Sequence, residues 1–229
     1  MKKFFVLLIL LWGALSALTV EELLQEIAAN RARIQSYQTE VTTTVESALS
    51  GRRTQYGRAY YQAPDLLRTD TLNPRQTVLK LAGRSYVIAQ GRAEELTNEN
   101  ALAALERPEN LLDKFAFTLE PSGSGWRLDG LPKSAGPDDL FSSVYFSRLL
   151  LTVDADKNIS ELLLYDTLAK EVLRLNITYA DISGVAFPVR TEITLASAGI
   201  KVLNEHKQVN LNKPLKPELF DPQKISEEE

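Results

Sequence analysis

The feature that most constrains this chain is a long succession of segments in which apolar and polar residues alternate with a period of two, separated by short turns. That period sends alternate side chains to opposite faces of a strand. EVLRLNITYA sets Leu173, Leu175, Ile177 and Tyr179 against Arg174, Asn176 and Thr178, and VRTEITLAS sets Val189, Ile193 and Leu195 against Arg190, Glu192 and Thr194. SYQTEVTTTVES, RTQYGRAYYQA, DLLRTDT, WRLDGL, SVYFSRLLLTV, ISELLLYD and KVLNEHKQVNL read as strands too, as does the hairpin TVLKLAGRSYVIA turning at Ala82 and Gly83, giving about eleven. So long a meander of strands with one wet and one apolar face has to roll up or fold over. The residues Tyr145, Leu149, Leu151, Val153, Leu173, Leu175, Ile177, Tyr179, Val189, Ile193 and Leu195 are expected on one concave side.

Two helical stretches are available to cover that side. From Thr19 to about Ser36, Val20, Leu23, Leu24, Ile27 and Ile34 recur at three- and four-residue steps, and Thr19 with Glu22 has the spacing of a capping box. The stretch from about Glu95 to Phe117 breaks the strand series. Leu102 and Leu105 precede Pro108, which is placed to start a short helix carrying Leu111, Leu112 and Phe115. This insertion is expected to act as a movable cover.

MKKFFVLLILLWGALSA joins two lysines, an apolar run and small residues near Ala17, the layout of a cleaved secretory signal over residues 1–17. The alternative, a membrane anchor, needs roughly 18 apolar residues, and Thr19, Glu21 and Glu22 end the run too soon. One domain is expected over 18–229, exported to the periplasm. Removing Lys2 and Lys3 from the 26 basic residues leaves 24 against 30 acidic ones, a net charge of −6 with no basic run, which argues against nucleic acid as a partner. The chain has no cysteine, so disulfides, thiol catalysis, thiolate metal sites and a lipid-bearing cysteine anchor are excluded.

No constellation for catalysis emerges. The single histidine, His206, stands between Glu205 and Lys207 and is read as a polar-face residue. DADKN places Asp154, Asp156 and Asn158 at alternate positions but lacks the glycine and distal glutamate of a calcium loop, so a hairpin turn is the reading. No catalytic residue, metal or cofactor is assigned, and a monomeric binding protein is expected rather than an enzyme.

The serial order of the motifs resembles the periplasmic outer-membrane lipoprotein carrier (LolA) family. An opening helix leads into IQSYQTEVTTTV, then GRAYYQAPDLLRTD, the hairpin with GRSYVI, a helical insertion, paired strands around DADKNISELLLYD, and a late strand running into PELFDP. The resemblance implies an unclosed antiparallel β-barrel, mainly β with some α, whose concave apolar face is covered by helices and holds acyl chains. On that reading Tyr61, Leu102, Leu105, Leu111, Leu112 and Phe115, with Leu149, Leu151, Leu173, Leu175, Ile177 and Ile193, meet the lipid. It also implies an inner-membrane transporter of the ATP-binding-cassette class and an outer-membrane receptor as partners. The alternative is a periplasmic sensor of the same fold that binds lipids or peptides. One departure concerns release: studied carriers have an arginine before the proline of this segment, whereas here Ala63 precedes Pro64.

Overall fold

The computed structural model describes residues 18–81, 83–96, 111–137 and 141–228. The expected leader (residues 1–17), Leu102, Leu105 and Pro108 lie outside them. Helix α1 (Val20–Ala32) begins at the expected cap: the Glu22 backbone N–H donates to Thr19 Oγ1 at 3.1 Å, and the Thr19 N–H donates to the Glu22 carboxylate at 2.8 Å. The reciprocal pair satisfies two donors that a helix start otherwise leaves open. The helix ends before Ile34, where Asn212 donates to the Arg33 carbonyl at 2.8 Å and accepts from the Gln35 N–H at 2.8 Å.

Thirteen strands follow among the described residues: β1 (Ser36–Ser47), β2 (Gly51–Gln62), β3 (Leu66–Leu72), β4 (Arg75–Leu81), β5 (Arg84–Ala89), β6 (Arg92–Leu96), β7 (Phe115–Ser122), β8 (Gly125–Pro132), β9 (Phe146–Val153), β10 (Ile159–Asp166), β11 (Glu171–Ile182), β12 (Val185–Leu195) and β13 (Ile200–Leu211). They form one antiparallel sheet in the order β6-β5-β4-β3-β2-β1-β13-β12-β11-β10-β9-β8-β7. Its edges, β6 and β7, are consecutive in the chain yet do not pair, so the sheet is open, as an unclosed barrel requires.

The two strands beyond the expected eleven are β6 and β7, which flank the insertion. Leu111 and Leu112 lie in a single helical turn, α2 (Leu111–Lys114), but Phe115 starts β7 instead of continuing the helix. This corrects the expectation of a helix carrying all three. Alternation of Phe115, Phe117 and Leu119 with Ala116, Thr118 and Glu120 prevails over the short helical spacing.

Among the described residues two apolar clusters hold the sheet. Leu23, Leu24 and Ile27 of α1 are fully buried against Leu128, Leu149, Leu151, Leu162, Leu164 and Leu173. A second cluster joins Tyr60, Leu79 and Ile88 to Phe220 and Ile225, from a 3-10 turn (Pro217–Phe220) and helix α3 (Pro222–Glu228). Tyr60 pairs with Gln38, and Leu79 follows through Arg68, whereas Val45 shares its face with the α1 side. The parity places α1 and the tail on opposite faces of one sheet.

Candidate functional site

Registers carry one apolar row across eight adjacent strands. Leu119 pairs with Leu128, and the row continues through Leu151, Leu162, Leu175, Ile193 and Val202 to Val45, each in direct register with the next. Residues in register share a face, so period two along each strand becomes a continuous stripe across the sheet. Its middle, Leu128, Leu151 and Leu162, is buried beneath α1. Leu175, Ile193, Val202 and Val45 are half-buried. The stripe therefore runs out from under the helix as an apolar surface that the helix does not fill.

The residues expected to meet lipid divide accordingly. Leu111, Phe115, Leu149, Leu151 and Leu173 are closely packed core members, whereas Leu112, Leu175 and Ile193 are half-buried at the cluster's margin. Ile177 is half-buried one register step beyond Leu175. Tyr61 is half-buried, stacked on Tyr37 with centroids 5.4 Å apart, and its hydroxyl donates to the Pro64 carbonyl at 3.3 Å. Leu102 and Leu105 lie outside the described residues. Tyr179 donates to the Ile159 carbonyl at 3.2 Å, and burial pushes its pKa up to about 12. Tyr145 departs from the concave set: it precedes β9, is 46% exposed, and donates to the Pro137 carbonyl at 3.0 Å.

His206 is a further correction. It pairs with Val41 and packs edge-on against Phe187 (5.7 Å) and Tyr37 (6.5 Å), on the same face as the apolar row and opposite to Glu205 and Lys207. These sequence neighbours belong to the other face because the strand alternates. Burial lowers its pKa, and Nδ1 is buried without a hydrogen-bond partner among the described residues. The aromatic group Tyr61–Tyr37–Phe187–His206 lies on the same face, separated from the row by Thr43, which donates to Asn204 Oδ1 at 2.8 Å.

The opposite face is chemically different. Arg174 donates to Glu171 and Glu161 at 2.6 Å each, and this hydrogen bonding holds the Glu171 carboxyl below the usual range. A cleft of about 470 Å³ beside the tail is lined by Glu40, Arg58, Arg68, Asp70, Arg75 and Lys207, among others. Val41, Tyr56, Leu72 and Ile225 also form the wall, so its charged groups stand among apolar ones. DADKN is a hairpin turn, as expected: the Asp154 carboxylate accepts from the Asn158 N–H at 2.8 Å.

An open thirteen-stranded antiparallel sheet with an apolar face partly covered by an N-terminal helix defines the structural class. Solved structures of that class are similar over nearly their whole length. A DUF1329 family protein from Desulfovibrio piger has a TM-score of 0.67 at 14% identity, covering 88% of this chain and 95% of its own. A domain assigned to outer membrane lipoprotein sorting, from Vibrio parahaemolyticus, has a TM-score of 0.64 at 12% identity over 89% of this chain and 97% of its own. A LolA superfamily protein from Nitrosomonas europaea has a TM-score of 0.63 at 13% identity over 90% and 98%. This chain has their fold. No family model matches the sequence, and no curated protein matches it in sequence comparison.

Proposed function

We propose that this protein is a periplasmic carrier that shelters the acyl chains of lipoproteins, or of other lipids, on the apolar row and moves them from inner to outer membrane. The observation carrying this reading is the row itself: eight apolar residues in direct register, buried under α1 at Leu128 and Leu151 and half-buried from Leu175 to Val45. Each methylene removed from water contributes about 0.8 kcal/mol, so an acylated cargo needs such a shelter to cross an aqueous compartment. The leader and the shared fold agree with this role. Leu175, Ile177, Ile193, Tyr37 and Tyr61 form the first contact surface, and movement of α1 would lengthen it.

The test is native mass spectrometry of the gently purified protein, followed by titration with a fluorescent fatty acid. Lipid should accompany the protein, and the delipidated form should bind the probe. Ile193→Glu should abolish probe binding while circular dichroism stays unchanged, because this site is half-buried. A protein that arrives lipid-free and ignores the probe would sink the carrier reading.

A further inference from the structure

In an antiparallel meander alternate connections face the same end of the sheet, so the turns divide into two sets. The β2–β3, β4–β5, β7–β8, β9–β10 and β11–β12 turns carry residues such as Asp65, Gly83, Asp156, Asn158 and Ser183. None of the large exposed apolar residues lies in the described parts of this set. The other end is the reverse. Leu49 in the β1–β2 turn is 97% exposed, Leu72 at the β3–β4 turn 70%, and Leu168 in the β10–β11 turn 73%. Leu131 near the end of β8 and Val144 and Tyr145 in the β8–β9 connection are exposed there too.

Exposed leucines scattered singly need no explanation. Here six of the eight large apolar residues exposed among the described residues collect at one end, three of them near hairpin tips where polar residues are the rule.

Charge supplies the occupant. Arg53 follows Leu49, Arg75 follows Leu72, Lys170 follows Leu168, and Lys201 is the second residue of β13 at the same end; all are exposed, as is Arg52, which is paired with Glu46. Of the carboxylates beside these tips, Glu46 is offset by Arg52 at 3.5 Å and Glu171 by Arg174, while Asp166 keeps its charge among backbone donors, the N–H groups of Leu168 (2.8 Å) and Lys170 (2.9 Å). Arg53, Arg75, Lys170 and Lys201 therefore leave an excess of positive charge around the leucines. Leucine tips collared by cations match a bilayer interface, with the leucines at the acyl boundary and the cations among anionic headgroups.

We infer that this end of the sheet is a docking surface for an anionic lipid bilayer, with Leu49, Leu72 and Leu168 as its shallow anchors. The surface is separate from the apolar row and stands whether or not that row carries cargo. In a carrier it would orient the molecule at each membrane.

Flotation of the mature chain with vesicles of equal parts phosphatidylglycerol and phosphatidylcholine tests it. The protein should float with these vesicles, and less with phosphatidylcholine alone or at raised salt. The triple variant Leu49→Ser, Leu72→Ser, Leu168→Ser should bind about tenfold more weakly, with unchanged melting because the three side chains are exposed. Failure of the unmodified chain to float, or equal flotation of the triple variant, overturns the inference. So does a concentration-dependent dimer abolished by the triple change, which would assign the leucines to a second copy. Fatty-acid binding measured on the same samples separates the two ideas: the triple variant should retain it, and its absence from the unmodified chain would count against carriage alone.

Discussion

Arg68 and Asp70 lie two residues apart on the same face of β3, joined at 2.7 Å, and together they fasten the C-terminal tail to the sheet. Asp70 also accepts from Thr77 Oγ1 at 2.8 Å, while Arg68 donates to the Leu219 carbonyl at 3.0 Å and lies 5.6 Å from the Tyr60 ring centroid. Both side chains are largely shielded from solvent. Removing one partner leaves a buried charge uncompensated, so Asp70→Ala should destabilise by about 3 kcal/mol. Urea unfolding measures the loss, and limited proteolysis should cut first near Leu219. A loss within error of zero would mean the pair is incidental.

Gly57 makes a second prediction. A Cβ there would stand 1.9 Å from the Asp70 backbone oxygen, with no flexible side chain to yield. Gly130 differs, since its Cβ would meet the Phe117 ring at 2.4 Å and a ring can move. Gly57→Ala should therefore cost more than Gly130→Ala, for which overpacking of about 1–3 kcal/mol is expected. Thermal melts of the two variants give the order. The reverse order would show that β3 shifts more easily than Phe117.

What the sequence revealed and what it hid follow from the range of the interactions involved. The α1 cap is local, three residues from Thr19 to Glu22, and was legible to the residue. Strands β1 and β10 coincide with the stretches SYQTEVTTTVES and ISELLLYD, the first because Tyr37, Val41 and Val45 keep in phase with a period of two and the second because a polar turn precedes its apolar run. Strand β6, RAEEL, has exposed residues through Glu95 and hence no alternation to read. Most of the site was legible as face parity, since Leu151, Leu175 and Ile193 keep their period. Which of them lie under α1 and which beyond it depends on register, a long-range property. The same holds for Phe220 and Ile225, whose cluster with Leu79 and Ile88 spans distant parts of the chain.

Helix α1 is held to the sheet at its exit by polar contacts with the β9–β10 turn. Lys157 Nζ lies 3.3 Å from the Trp126 ring centroid and 3.7 Å from Glu26, and Asn30 donates to the Asp156 carbonyl at 2.7 Å. Lys157→Ala should loosen the helix by about 1 kcal/mol. Hydrogen exchange should quicken in α1 while β1 and β13 stay unchanged. If α1 moves to lengthen the apolar surface, the same variant should take up fluorescent fatty acid faster than the parent; equal uptake would indicate that the helix stays in place.

The last prediction concerns His206, whose ring packs against Phe187 and Tyr37 on the apolar face. Burial disfavours the imidazolium and lowers the pKa from its ordinary 6.5. Between the folded and unfolded values the unfolded chain binds a proton that the folded chain refuses. Stability from this group is therefore fully present above about pH 6.5 and is lost as pH falls toward and through the folded value. His206→Phe keeps a ring for Tyr37 and Phe187 and removes both the titration and the unpartnered Nδ1. Near neutral pH the variant should match or exceed the parent by about 1 kcal/mol, because an unsatisfied buried nitrogen is gone. On acidification from about pH 7.5 to about pH 5 the gap should widen in favour of the variant. Melting temperatures of both proteins across that range decide it, and parallel curves would mean that His206 is hydrated in the folded protein and titrates as it does in the unfolded chain.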